Sequence, residues 1–531
     1  MQVTKEILLM AEENKKAEKV TFTAKEIEHK NKIYTQKIKR WEKNRLVCAG
    51  TDAVKEAGVK LLPQLEGQST DEYDAMVVRA NFFPGALRAL HGTNGMIHAK
   101  TPTITFPEGK MSYLDNIGLS GSSIAEVAEE ITEEQMLQGW VGIFAFYNSV
   151  PGTSELKPFL SVIRAENIWD WRFGVVNGVK QLTYVKFVEY VESPDSNMFL
   201  SVEIPQVTQL WLDKNGKLNY RIVQKQPGEQ KGEASWVQKQ GGAVLVRGKE
   251  VEGVPFRLIG ARKMSGRPEE APIEPIVDVN ISHYITSADL EQGRHFTALP
   301  TPYICSASLD PDKDFRIGGY NCWIIPENEA KVGMLEYTGQ GLLSLEKADT
   351  EKKWEMAVLG ARMLQNDKKA NESKDTVRLR QTGENSIVTN VARQCSVALT
   401  YLLGKFIAPW TLVSSGTKVG FVLTTDFLTI EISTEMLNSM AALVATDKMS
   451  METFFYNLQR GGIYEAGTTL EKEMQRIEKQ FEKQMKQLGR KSDVVDLDDE
   501  EDEIPDDEQA KKDEKKTATN DHVDNQAKSK D

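Results

Sequence analysis

The chain has 531 residues, of which 40% are hydrophobic and 27% are charged, and its formal net charge is -12 at pH 7. This length exceeds one compact core, so we expect several domains or one elongated body with the composition of a folded soluble protein. No apolar run is long enough to span a bilayer, and the four cysteines show neither a CxxC pair nor zinc-ligand spacing, so neither a membrane protein nor a structural zinc site is predicted.

The N-terminal quarter is dominated by helical patterns. Residues 1–46 carry dense charge of both signs, which predicts a charged helical arm outside any core. The first residues are charged and no long apolar segment follows them, so no secretory signal is predicted and we expect the chain to stay in the compartment where it is made. Helical patterns resume over 47–138.

A change of pattern at residue 139 indicates strands. Segments such as GWVGIFAFY, KQLTYVKFVEYV and LNYRIV are rich in β-branched and aromatic residues. Turn sequences such as VNG and DKNGK separate them, as is typical of β-hairpins. We therefore predict an antiparallel, β-rich domain over 139–272.

Two helical patterns then enclose a group of short strands. The first helix is predicted over 273–299, and its His283 and His295 are expected to be packing or interfacial residues. Short strands are predicted within 300–340, around the tip-like sequence LDPDKDFRIGGY, and a second helix over 341–365. The order predicts a small strand module carried by two helices.

The longest helical pattern covers 377–408 and follows a Lys-flanked polar segment, 366–376. Apolar residues recur with a 3.6-residue period in its second half, whereas its first half is polar. We expect the second half to have a stripe wide enough for core burial and the first half to line a solvent-filled space. An ordinary buried helix preceded by a surface loop is the alternative.

A strand and two or three helices are predicted over 409–491, followed by an acidic tail over 492–531. From residue 493 onward there are 16 acidic and 6 basic residues, so this end contributes -10 and the rest of the chain only -2. The tail lacks aromatic residues and periodicity, which predicts disorder. A nearly neutral body disfavours tight wrapping of nucleic acid, although loose passage is compatible with it.

No motif for enzymatic chemistry is found in the sequence. A phosphate-binding loop, a nucleophile elbow and a cluster of metal ligands are all absent. Asp310, Asp312 and Asp314 alternate as at the start of a calcium loop, but Phe315 and Asn321 stand where that loop needs glycine and glutamate. We therefore predict a protein that is not an enzyme and that uses neither a cofactor nor a metal.

Several segments, read together, resemble a family of tailed-phage proteins that is catalogued as uncharacterised and is itself similar to viral portal proteins. They follow one another in family order between residues 41 and 403. The C-terminal stretch DKMSMETFFYNLQRGGIYEAGTTLEKEMQ is similar to the helical end of many portals. The matching segments include RWEKNRLVCAGTDAVKEAG, RAENIWDWR, ISHYITSADLEQGRHFTALPTPYI, LEYTGQGL, LGARML and DTVRLRQTGENSIVTNVARQCSVALTYLL.

The resemblance implies an elongated α+β portal-type subunit. About twelve copies would form a homo-oligomeric ring at one capsid vertex, the channel for packaging and ejection of double-stranded DNA. Its other implied partners are the large subunit of terminase, head-tail connector or adaptor proteins, and the major capsid and scaffolding proteins. The implied location is the virion, with assembly in the host cytoplasm. The implied parts are a wing (47–138 helical, 139–272 β-rich), a stem (273–299 and 341–365), a clip (300–340), a tunnel loop (366–376), a channel-lining helix (377–408) and a helical crown (409–491).

The resemblance also assigns candidate site residues. In a closed ring each residue recurs around the channel, so tunnel-loop lysines would form positive rings facing phosphates. The candidate tunnel-loop residues are Lys368, Lys369 and Lys374, and those of the channel-lining helix are Arg378, Arg380 and Gln381. The candidate docking residues of the clip are Asp310, Asp312, Lys313, Asp314 and Arg316. Solvated lysines on a flexible loop are the alternative for the first set.

Two other functions stay open at the level of sequence. One is a different phage structural protein, such as a head-tail adaptor or a minor head protein. The other is an enzyme, for example a nuclease or hydrolase, with an unrecognised site.

Overall fold

The computed structural model describes residues 20–149, 156–194, 201–227, 234–264, 266–298, 301–305, 325, 329–335, 339–361, 374–414, 416–425, 434–460 and 470–492. Helices and strands are both abundant in this part of the chain, which agrees with the predicted α+β class. The chain divides into two compact units, Met1–Gly467 and Thr468–Asp531, which are described separately. The acidic end, 493–531, and the first 19 residues of the predicted arm lie outside the described residues.

The first unit begins with helices that start at polar caps. The Asn31 side chain accepts a hydrogen bond from Ile33 N at 3.0 Å, and Ser69 and Ser123 form capping boxes with the glutamates three residues later. The elements are β1 (Thr21–Phe22), α1 (Ala24–Ile27), α2 (Lys32–Cys48), α3 (Thr51–Ala57), α4 (Thr70–Arg79), α5 (Gly85–Ile97), β2 (Thr103–Thr105) and α6 (Ile124–Gln138).

Helix α2 lies in the core, which corrects the prediction of an arm for this part of the chain. Its Tyr34, Trp41 and Val47 are buried, and the Trp41 ring stacks on Trp140 with centroids 6.1 Å apart. The charged residues that suggested an arm occupy the other faces of the helix. A few large apolar side chains on one stripe are enough to pack this helix against the rest of the first unit. Burying a single tryptophan already removes a large apolar surface from water.

Two antiparallel sheets follow. The six-stranded sheet has the order β1-β9-β8-β7-β6-β5, and the three-stranded sheet has the order β12-β3-β4. The strands are β3 (Trp140–Ser149), β4 (Leu156–Arg164), β5 (Ile168–Val176), β6 (Val179–Pro194), β7 (Ser201–Leu212), β8 (Leu218–Pro227), β9 (Ala234–Ala243), β10 (Leu245–Val246), β11 (Lys249–Glu250) and β12 (Phe256–Gly260).

Local sequence explains the turn from β5 to β6, and aromatic residues join the two sheets. Asn177 and Gly178 both have positive φ, 52° and 77°, as a two-residue turn of the kind predicted at VNG requires. The ring centroids of Phe144 in β3 and Phe187 in β6 lie 5.3 Å apart, and those of Phe187 and Phe256 in β12 lie 5.5 Å apart. The core of the β-rich region therefore forms where these rings meet.

The remaining elements of the first unit are mainly helical. They are α7 (Glu274–Ala298), β13 (Thr301–Cys305), β14 (Lys331–Leu335), α8 (Leu342–Ala361), α9 (Lys374–Leu402), a π-helix (Leu403–Ile407), α10 (Ala408–Trp410), β15 (Gly420–Val422), α11 (Thr434–Ala445) and α12 (Met451–Arg460). Strand β15 pairs antiparallel with β2, more than 300 residues earlier in the chain. This pairing ties the C-terminal part of the unit to its N-terminal helices.

The second unit contains α13 (Leu470–Ser492). Its Met474, Ile477 and Phe481 recur at helical spacing and are each more than half exposed. Among the described residues, no helix combines the length and apolarity that a bilayer crossing requires.

Candidate channel and docking segment

Helices α7 and α8 form an antiparallel pair. The end of α7 meets the start of α8, where Arg294 Nη2 donates a hydrogen bond to Glu346 Oε1 at 2.8 Å. A glycine allows close approach at one end of the pair, because a Cβ atom on Gly293 would lie 2.7 Å from the Leu342 side chain. At the other end, Gly360 brings α8 against α5, since a Cβ atom on Gly360 would lie 3.0 Å from Ala89. The two helices predicted to flank the strand module thus pack along their length.

A buried polar cluster lies midway along this pair. His283 is fully buried, and its Nε2 lies 2.9 Å from Asp349 Oδ1, while Lys353 Nζ lies 2.8 Å from the other carboxylate oxygen. Lys352 Nζ donates to Ser282 O at 3.1 Å and also to the Thr286 hydroxyl. Burial lowers the pKa of His283, so the ring is neutral at physiological pH. The predicted role of His283 as a packing residue agrees with its burial, and the cluster joins the two helices.

Strands β13 and β14 form a two-stranded antiparallel ribbon between α7 and α8 in the chain. Its apolar side chains are unusually exposed, since about half of each of Tyr303, Val332, Met334 and Leu335 is accessible. No third described strand pairs with the ribbon. An isolated two-stranded ribbon is marginally stable in water and leaves unpaired edges. The ribbon is therefore a surface suited to contact with another chain.

The second half of helix α9 has the apolar stripe that was predicted for core burial. Val391, Cys395 and Leu402 are completely buried, and the Cys395 sulfur lies 3.9 Å from Ala128 O in α6. Burial raises the pKa of the Cys395 thiol, which is therefore unreactive. Beyond residue 386, only a narrow stripe that includes Arg393 and Val397 faces solvent. Of this half of the helix that the resemblance implies to be channel-lining (377–408), only that exposed stripe is accessible to solvent, and the rest packs inside the subunit.

The structure adds less about the other predicted site residues. Lys374 is the first residue of α9 and so belongs to the helix rather than to the loop predicted over 366–376. Arg378, Arg380 and Gln381 are in the same helix, and their side chains lie outside the described part of the structure. Lys368 and Lys369 lie outside the described residues, as do Asp310, Asp312, Lys313, Asp314 and Arg316 of the predicted clip.

Arg393, the described cation on the exposed stripe of α9, was not among the predicted site residues. A helical wheel could have found it, because it lies opposite the apolar stripe already identified. In the described part of the chain, no group of three histidine, cysteine or acidic side chains could hold a metal ion.

Comparison with known proteins gives one family match, for residues 272–411, to the model described as domain of unknown function (DUF4055). This span starts just before α7 and ends just after α10, so it covers the helix pair, the ribbon and α9. A search of curated proteins gives no match.

Solved structures that are similar to this chain at low identity include three from gene transfer agent particles. A chain titled "Virion of native gene transfer agent (GTA) particle" is 11% identical, with 76% of this chain and 97% of that chain covered and a TM-score of 0.35. "Neck of empty GTA particle computed with C6 symmetry" is 10% identical, with 74% and 93% covered, and also has a TM-score of 0.35. "Neck of native GTA particle computed with C12 symmetry" is 11% identical, with 71% and 89% covered and the same TM-score. Likeness at this level assigns no function to the chain.

Proposed function

We propose that this chain is a structural subunit of a viral portal, a ring at one capsid vertex through which double-stranded DNA is packaged and ejected. The observation that carries the proposal is the order of elements from α7 to α9: two packed antiparallel helices, a two-stranded ribbon between them in the chain, and a long helix after them. The proposal also rests on the ordered resemblance of residues 41–403 to portal-like phage proteins. In this assignment the helix pair is the stem, the ribbon belongs to the clip, and α9 follows the tunnel loop.

Exposed apolar side chains on the stem favour a ring over a monomer. Trp354 of α8 is 64% exposed and Leu343 is 73% exposed. Large apolar residues that are exposed on a helix mark surfaces that contact other chains, and tryptophan contributes much of the binding energy in many such contacts. In the proposed ring, neighbouring copies cover this side of α8.

Ring symmetry explains how a protein with a nearly neutral body would handle DNA. Each of Lys368, Lys369 and Lys374 would recur once per copy and form a positive ring around the channel. Neutralising many phosphates tightly would hold DNA in place, whereas a few weak contacts allow it to slide. The proposed ring has no catalytic step, so the energy for packaging comes from a terminase that docks on the clip, and connector proteins take its place later.

Negative-stain microscopy of the purified full chain tests the proposal. We expect rings with a central hole wide enough for a DNA duplex. Trp354→Glu should give smaller species, whereas Leu65→Glu, which changes a similarly exposed residue (58%) outside the helix pair, should leave the rings intact. A compact monomer in the unchanged protein would contradict the portal assignment.

Two further candidates are kept as alternatives. A head-tail adaptor or minor head protein would also oligomerise, but would lack a helix pair bearing a docking ribbon. An enzyme such as a nuclease would act as a monomer or small oligomer and would hydrolyse DNA in the presence of divalent metal, which a simple nuclease assay detects.

A further inference from the structure

A cavity of about 350 Å³ lies on the β-rich side of the molecule. It is bounded by the start of β6, by β12, and by the end of α9 with the π-helix that follows. Its inner wall is apolar, with Leu182 and Met264, and the half-exposed Phe173 stands at its edge. Both the size and the mainly apolar lining are those of pockets that bind small organic groups.

Arg257 places an uncompensated cation in this cavity. Its guanidinium lies 3.9 Å from the centre of the Tyr401 ring, and its Nε is buried without a hydrogen-bond partner. Among the described residues, no carboxylate forms an ion pair with it. Burial lowers the pKa of Arg257, which reflects the cost of holding this charge away from water without an anion.

The same wall carries a second cation on an unusual piece of backbone. Lys405 belongs to the π-helix Leu403–Ile407, and its Nζ lies 5.5 Å from the centre of the Tyr401 ring. A π-helix costs regular hydrogen bonding and occurs frequently at functional sites, because it redirects side chains at the end of a helix. Lys180, from the other side of the cavity, adds a third positive charge at the rim. The charge of the cavity is thus positive, although the chain as a whole is acidic.

We propose that this cavity binds an organic carboxylate, with Arg257 and Lys405 holding the carboxylate group and Leu182, Met264 and Phe173 holding the apolar body attached to it. A guanidinium fork matches a carboxylate in two hydrogen bonds. A nucleic-acid phosphate carries no apolar group that would fill the inner wall, so the lining favours an acid joined to an aliphatic or aromatic group. Such a group occurs in a small organic acid and in an acidic side chain beside an apolar one in a polypeptide. This site is independent of the proposed channel.

Calorimetric titration of the full-length protein tests the charge and the apolar body separately. The probe is 3-phenylpropionate, and the controls are its uncharged amide and inorganic phosphate. We expect saturable binding of the acid, and at least about tenfold weaker binding of either control, because the amide lacks the charge and phosphate lacks the apolar group.

Two matched arginine variants locate the site. Arg257→Met removes the cavity cation, and Arg221→Met removes another ring-stacked guanidinium, 4.9 Å from the Phe22 ring and outside the cavity. Binding of the acid should fall about tenfold or more in Arg257→Met and stay unchanged in Arg221→Met. Lys405→Met gives a second test if Arg257→Met does not fold, and it should also weaken binding.

The proposal is overturned if no saturable binding of the acid is seen, if acid and amide bind equally, if phosphate binds as tightly as the acid, or if Arg257→Met binds like the unchanged protein. A blocked peptide with one aspartate between leucines distinguishes the two sources of the carboxylate. Tighter binding of this peptide than of 3-phenylpropionate supports a polypeptide ligand, and the reverse supports a small acid.

Discussion

Removal of Arg45 should release α2 from the core. This side chain bridges two carboxylates from different parts of the first unit: Nη1 and Nη2 donate to Glu134 of α6 at 3.0 and 2.8 Å, and Nε and Nη2 donate to Glu166 at 2.5 and 3.0 Å. Glu134 and Glu166 are 8% and 15% exposed and Arg45 is 28% exposed. The bridge is therefore largely shielded from water, and solvent screens it less than a surface ion pair.

The expected magnitude follows from the charges that remain. In Arg45→Met, two shielded carboxylates lose their common cation, and breaking a buried pair in this way costs about 3–5 kcal/mol. Burial already raises the pKa of Glu134, with Arg45 acting to lower it, so the variant should raise this pKa further. When a carboxyl group has a higher pKa in the folded protein than in the unfolded chain, the folded protein loses stability as the pH rises above the unfolded pKa of about 4.3. The penalty should therefore be larger at about pH 8 than at about pH 5.

Amide hydrogen exchange within α2 measures this effect locally. A loss of about 3 kcal/mol corresponds to exchange roughly 100-fold faster. The control is Arg294→Met, whose ion pairs are about half exposed and should be worth less than about 1 kcal/mol. In Arg45→Met, the exposed Arg164, with its Nε 3.5 Å from Glu134 Oε1, compensates the Glu134 charge only in part. Adding Glu134→Gln removes that charge and should recover part of the loss. If the double variant exchanges as fast as Arg45→Met at both pH values, the uncompensated charge is not the cause.

Three other predictions follow from packing, burial and ring symmetry. Gly142→Ala should destabilise by about 1–3 kcal/mol, because its Cβ would lie 2.4 Å from the Phe256 ring, whereas Gly95→Ala, with open space around it, should stabilise slightly; thermal unfolding compares the two. Burial lowers the pKa of His283 below its unfolded value of about 6.5, so stability present above that pH is lost as pH falls, and His283→Gln should flatten the decline in melting temperature between about pH 7.5 and 5.5; an equal decline in both proteins would contradict this. Changing Lys368, Lys369 and Lys374 together to alanine should alter DNA packaging or retention while rings still assemble, and unchanged packaging would refute their contact with DNA.

Local patterns in the sequence anticipated much of the secondary structure. The turn at Asn177 and Gly178 was predictable because few residues tolerate positive φ at two adjacent positions. The buried stripe of α9 was also predictable, since a 3.6-residue apolar period has one common explanation. Both features depend on residues close together in the chain, where spacing alone determines which side chains share a face.

Long-range contacts decided what those patterns could not. The charge of residues 32–46 suggested an arm, yet Trp41 meets the Trp140 ring and holds α2 in the core. Arg257 looked like an ordinary strand residue, and only the approach of Tyr401, 144 residues later, makes it a shielded cation without an anion. Composition and periodicity indicated the helical and β-rich segments and their order along the chain, because those depend on local propensity. Packing between distant segments decides which charges are paired, which are exposed and which are buried without a partner. Only the tertiary structure shows that outcome.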